Sequence, residues 1–225
     1  MNDCKGRCAE PGCPRPWEIR VAWALRGLIA VTATVHLVQG RYLYAALCAA
    51  VIAVLVAPPL LARTSLGNLP VELELAALWG AVGDMTLGRL LGLYSGTAWF
   101  DKVLHFGNSL LIGLLAFLIV YALQLTGRLR TSAVANAVAI VLLALGVGAL
   151  WEIVEYGADA LFREGAQGSP VMAPLDDTMW DLILDGAGGA VGGTLGAAYI
   201  RFSQRTARRF AAFARLVAPA EGVAA

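Results

Sequence analysis

The chain has 225 residues, 59% of them hydrophobic and 15% charged, with a mean hydropathy of +0.69 and a formal net charge of +1. That balance lies outside the range of soluble globular domains, and it excludes a disordered chain or a nucleic-acid binder working through a basic surface. Four Cys are too few for a disulfide-stapled secreted scaffold, so the chain reads as an integral membrane protein.

Residues 1–20 form a polar N-terminal segment with Cys4, Cys8 and Cys13, whose spacing matches no zinc ribbon or redox pair. Reduced thiols are the default there, and a peripheral metal site shared between chains is the alternative. A membrane-crossing helix needs about 20 apolar residues. Six such stretches follow, at 21–39, 42–62, 71–93, 103–125, 133–158 and 181–200. The expected fold is therefore all-α, a six-helix transmembrane bundle over 21–200. The first span starts late and lacks a small-residue cleavage signal, so it is expected to be retained. Pro58 and Pro59 should bend or end the second span and leave 60–70 as a loop. The loop 165–174, with Met172 and Met179 nearby, is either a lid or a plain connector. Residues 201–225 form a basic tail that either lies on anionic lipid or is simply solvated.

The distribution of basic residues sets an orientation. With the N-terminus in the cytoplasm, the inner side collects Lys5, Arg7, Arg15, Arg20, Arg26, Arg63, Arg128, Arg130, Arg201, Arg205, Arg208, Arg209 and Arg215, against Arg41, Arg89, Lys102 and Arg163 outside. The asymmetry places both termini inside, provided that Arg26, in the first turns of its span, snorkels to the surface.

Given that orientation, the ionisable residues crowd toward the outer side. Asp84 falls in the outer half of the third span, Asp101 and His105 at the start of the fourth, Glu152, Glu155 and Asp159 at the end of the fifth, and Asp177, Asp181 and Asp185 at the start of the sixth. A charge facing hydrocarbon costs about 2.5–3.5 kcal/mol on insertion scales, so these groups should face protein, water or a cation. Spacings of three and four put each set on one helix face. Asn108 and Ser109 extend the His105 face, as part of a site or as a packing seam. Asp101, Asp159, Asp176 and Asp177 are equally readable as a wet rim, and Asp177 and Asp181 as partners of a helix N-terminus. His36 reads as an interfacial hydrogen-bonding residue. Gly188, Gly192 and Gly196 repeat at every fourth position and permit close helix approach, which favours packing of the fifth span on the sixth, carboxylates facing.

Three of these segments, D-K-V-L-H-F at Asp101 to Phe106, W-E-I-V-E-Y at Trp151 to Tyr156 and D-T-M-W-D at Asp177 to Asp181, resemble the YjdF-like family of bacterial inner-membrane proteins. The first also resembles the helix entry of VanZ-like proteins. The resemblance covers roughly residues 70 to 200 and implies a polytopic protein of the bacterial cytoplasmic membrane, without naming a reaction.

Three functions fit the residues. The first is a metal centre open to the outside, with His105, Glu152, Glu155 and Asp185 as ligands and Asp84 or Asp181 as a ligand or catalytic base. That mixed nitrogen and oxygen set suits a divalent Zn, Mn or Fe rather than Mg or Ca. It would serve hydrolysis or transfer on a lipid or cell-envelope substrate. The second is proton- or cation-coupled transport through Asp84, Glu152, Glu155 and Asp185, with homo-oligomerisation supplying the inner stations that one chain lacks. The third is a structural polar core, its acids bonded to Trp151, Tyr156, Trp180 and backbone donors. Membrane lipids are the expected partners in all three. The sequence contains no phosphate-binding Gly loop and no nucleophile elbow.

Overall fold

The computed structural model describes residues 15–60, 71–162 and 172–202. The cysteines Cys4, Cys8 and Cys13, the loop at 61–70, most of the proposed lid and the tail beyond 202 lie outside the described residues. Within them the chain is helical and contains no strand.

The helices are α1 (Pro16–Val38), α2 (Tyr42–Leu60), α3 (Val71–Ala81), the short α4 (Leu93–Gly96), α5 (Phe100–Leu125), α6 (Ala133–Phe162) and α7 (Pro174–Phe202). Between α3 and α4 the same rod continues over Val82–Leu90 with π winding. Pro16 opens α1, where its missing N–H removes nothing from the helix ladder. Pro58 and Pro59 fall at the end of α2. Gly92, at φ +76°, supplies the left-handed turn that releases the chain from the π segment into α4.

Among the described residues three helices, α1, α5 and α6, are long and apolar enough to cross a membrane. Large apolar side chains point outward along them, Val31, Val134, Leu142, Leu150 and Ile153 among them, while His36, His105, Glu152 and Glu155 are buried. This is the reverse of a water-soluble helical protein, and it is the polarity expected of helices surrounded by hydrocarbon.

Two packing groups organise the chain. Ala22, Leu25 and Ile29 of α1, Cys48 of α2, Leu78 of α3 and Val82 and Met85 of the π segment form one apolar core. Thr32 and Thr86 share a buried hydrogen bond of 2.9 Å across it. In the second group α7 packs most extensively on α5 and then on α6, so the expected pairing of the last two spans is present but secondary. Glycine explains this order. A Cβ at Gly192 would strike the Leu110 carbonyl oxygen, one at Gly188 the Phe106 carbonyl oxygen, and one at Gly113 the Gly189 carbonyl oxygen. The two backbones therefore touch directly, the arrangement that small residues permit between helices. Gly189 and Gly193 turn instead toward Ala144 and Ile140 of α6.

Arg26 corrects one expectation. It does not snorkel, being 5% exposed. It is ion-paired with Glu74 of α3 and donates to the Leu55 carbonyl oxygen of α2 at 3.0 Å. A charge paired in this way holds three helices together and no longer reports which side of a membrane it is on.

Candidate functional site

The N-terminal turns of α5 and α7 and the C-terminal half of α6 meet at one end of the second group. Asp101 and His105, one turn apart on α5, face Asp177, Asp181 and Asp185, a row of successive turns on α7. Glu152 enters from α6. His105 is 7% exposed, Glu152 6%, and Asp181 and Asp185 1% each.

His105 has two differently furnished edges. Its Nδ1 lies 3.3 Å from both carboxylate oxygens of Asp185, and Ser109 Oγ donates to Asp185 Oδ1 at 2.6 Å. Its Nε2 faces Glu152 Oε1 at 3.5 Å, Asp101 Oδ1 at 3.7 Å and Asp181 Oδ1 at 4.0 Å. Glu152 Oε1 and Asp181 Oδ1 are buried and accept no hydrogen bond. An orphaned buried carboxylate oxygen is costly, and two aimed at one imidazole nitrogen mark a place where a cation or proton would be stabilised.

The second oxygens of Asp101, Asp181 and Glu152 are engaged. Lys102 Nζ lies 3.0 Å from Asp101 Oδ2, 2.6 Å from Asp177 Oδ1 and 2.7 Å from Asp181 Oδ2. Thr178 Oγ1 donates to Glu152 Oε2 at 2.6 Å. Gly148, one turn before Glu152, has no room for a Cβ because the Asp185 carboxylate fills that space. Its lack of a side chain lets α7 bring Asp185 beneath the ring.

Asp84 and Glu155, expected near this group, belong to a second cluster built around Arg89. Arg89 Nε meets Asp84 Oδ1 at 3.0 Å and Nη2 meets Glu155 Oε1 at 3.0 Å. Tyr94 donates to Asp84 at 2.7 Å and Trp151 Nε1 to Glu155 at 3.1 Å. The guanidinium is boxed by the rings of Tyr44, Tyr94 and Trp151. Burial and the neighbouring Asp84 carboxylate push the Tyr94 phenol above its usual range, so it remains a donor. A cleft of about 250 Å³ lined by Leu43, Leu47, Val154, Leu161 and Phe162 reaches Arg89 and Glu155 from the side. His36 is buried against the Tyr44 ring, with centroids 5.5 Å apart, and Asn108 packs against Gly80 of α3.

The structure thus sets Glu152, Asp181 and Asp101 around His105 Nε2, sets Asp185 behind the imidazole, and assigns Asp84 and Glu155 to Arg89. Sequence reasoning missed Lys102 and Arg89 as members of the two clusters, having counted both only as surface charges. For Lys102 the available signal was its place beside Asp101 at the entry to an apolar stretch; Arg89, five residues from Asp84, gave none. Among Asp101, His105 and Asp181, one ligand atom from each lies within 4.8 Å of the others, close enough to hold a single metal ion.

No curated protein and no solved structure matches the chain. Residues 20–202 match the family described as predicted membrane protein (DUF2238), a range that contains every helix above except the first residues of α1. The chain belongs to this family of predicted membrane proteins.

Proposed function

We propose that the protein is a multi-pass protein of the bacterial cytoplasmic membrane, with six crossings and both termini inside, whose outward-facing end holds a catalytic divalent metal. His105 Nε2, Asp101 Oδ1, Glu152 Oε1 and Asp181 Oδ1 are its ligands, and the reaction is hydrolysis or group transfer on a lipid or cell-envelope substrate. The observation that carries the reading is the convergence of three carboxylate oxygens on one imidazole nitrogen at 3.5–4.0 Å, two of them buried without a hydrogen bond.

Three physical points support it. Donors around a tetrahedral ion with bonds near 2.0–2.2 Å stand roughly 3.4 Å apart. The three oxygens stand 3.5–4.0 Å from His105 Nε2, and one donor atom each of Asp101, His105 and Asp181 lies within 4.8 Å of the others, so that Glu152 would close on the other two carboxylates when the ion binds. Charge supports it too, because Asp101, Asp177 and Asp181 gather on Lys102 while Glu152 and Asp185 flank His105, and a divalent cation would offset part of the excess negative charge. The Asp185 contact at Nδ1 matches the carboxylate–histidine pairing that orients metal-binding imidazoles. Such an ion supplies a Lewis acid for a phosphoryl or acyl oxygen and acidifies bound water. The apolar exterior of the helices favours a substrate drawn from the membrane.

The metal reading is favoured over transport because Asp84 and Glu155, two of the four acids a carrier would use, are compensated by Arg89. The test is metal analysis of the full chain purified without chelator, beside His105→Ala and Asp181→Ala. About one equivalent of Zn, Mn or Fe in the wild type and its loss in both variants is expected. Equal, negligible metal in all three would leave the cluster as a hydrogen-bonded polar core.

A further inference from the structure

The second oxygen of each carboxylate facing His105 Nε2 is already taken. Asp101 Oδ2 and Asp181 Oδ2 both sit on Lys102 Nζ, at 3.0 and 2.7 Å, and Glu152 Oε2 accepts from Thr178 Oγ1 at 2.6 Å. Lys102 is further fixed by Asp177 at 2.6 Å, so it is anchored from α7 and does not swing freely. Each acid therefore has one oxygen to offer. From these contacts we infer that Lys102 and Thr178 are positioning residues that set metal selectivity, by forcing Asp101, Asp181 and Glu152 to bind through a single oxygen each. This inference rests on the metal reading proposed above.

The chemistry follows from donor count. Calcium takes six to eight oxygen ligands and draws on bidentate carboxylates to reach that number. A cage of one imidazole nitrogen and three single oxygens gives four protein donors. It suits a small transition ion that is content with four to six ligands, and it leaves calcium short. Freeing the second oxygens would let the same carboxylates turn and close on a larger ion. Lys102 therefore does more than offset charge, since an ammonium placed elsewhere would reduce the excess negative charge without blocking a second oxygen.

The deciding experiment is calorimetric titration of Mn²⁺, Zn²⁺ and Ca²⁺ into the full chain in detergent after chelator treatment and dialysis. Wild type, Thr178→Val, Thr178→Ser, Lys102→Met and His105→Ala are compared. Thr178→Val preserves shape and charge and loses only the hydrogen bond, so it guards against a Lys102→Met variant that does not fold. The expected result is wild-type binding of Mn²⁺ or Zn²⁺ that depends on His105, with Ca²⁺ much weaker. In Thr178→Val and Lys102→Met that preference narrows by about 10-fold, within the range seen for outer-shell substitutions, while Thr178→Ser retains it. Binding that depends on His105 but shows the same Mn²⁺ to Ca²⁺ ratio in wild type, Thr178→Val and Lys102→Met overturns the selectivity role and leaves the metal centre standing. No binding of any ion to the wild type overturns the metal centre and this inference together.

Discussion

His105 presents its Nδ1 edge to Asp185, 3.3 Å from both carboxylate oxygens, although 80 residues separate the two in sequence. In the proposed metal centre a carboxylate at Nδ1 would hold hydrogen there and leave the Nε2 lone pair for the ion, on the side where Asp101, Glu152 and Asp181 converge. Replacing Asp185 by Asn keeps the volume and releases the tautomer. Metal affinity should fall about 10- to 100-fold with little change in folding. Titration of the purified variant reads this directly, and unchanged affinity would mean that Asp185 has no part in orienting the ring.

Gly148→Ala offers the same test from the other side. The new methyl group occupies the space of the Asp185 carboxylate and must push it off the imidazole, while every ionisable group remains. The variant should copy the affinity loss of Asp185→Asn. A folded Gly148→Ala protein with wild-type affinity would count against the close α6–α7 contact.

Arg89 is a matter of stability. Removing it leaves Asp84 and Glu155 as buried acids without their cation, a change of about 3–5 kcal/mol in comparable buried pairs. Arg89→Met should unfold at markedly lower denaturant in detergent. The triple variant Arg89→Met, Asp84→Asn, Glu155→Gln should recover most of the loss, since no uncompensated charge remains. If the triple variant were no better than the single one, charge compensation would be the wrong explanation.

The α5–α7 contact predicts opposite outcomes for two neighbouring glycines. Gly192→Ala drives a methyl group into the Leu110 carbonyl oxygen and should destabilise by about 1–3 kcal/mol. Gly186→Ala meets nothing within 4 Å and gains helix propensity, up to about 1 kcal/mol. Thermal unfolding of the two variants checks the pair. Similar shifts in both would refute backbone contact between these helices.

Orientation is checked by labelling. In a background without native cysteines, Ser95→Cys lies exposed between the π segment and α5, and Thr131→Cys lies exposed between α5 and α6. A membrane-impermeant maleimide added to intact cells should label the first and not the second. The opposite pattern would invert the proposed topology and turn the candidate site toward the cytoplasm.

Much of this arrangement was legible in the sequence because hydrocarbon is a strict solvent. Hydropathy placed the described helices well except at the start of α7, and the cost of stranded charge gathered Asp84, His105, Glu152, Glu155, Asp181 and Asp185 into one expected site, of which the structure sets Glu152 and Asp181 at His105 Nε2 and Asp185 at Nδ1. Periodicity then reached its limit. Glu152 and Glu155 lie about 60° apart on α6, near enough to pass for one face, yet the first meets His105 and the second Arg89. Asp84 and Arg89 are five residues apart, about 140° around an α-helix, and only π winding stacks them into a 3.0 Å pair. Nothing in the residue types of 82–90 announces that winding. Arg26 misled for a related reason, since its partner Glu74 lies on another helix and helical spacing carries no information between helices.

The glycine seam between α5 and α7 has a consequence for how the cluster comes together. Asp101, His105 and Asp181 ride on two helices whose backbones touch, so they travel as one stiff unit, whereas Glu152 arrives alone on α6. Of the four proposed ligands, three are therefore held by that seam, and the fourth depends on the separate fit of Gly189 and Gly193 against Ala144 and Ile140 of α6.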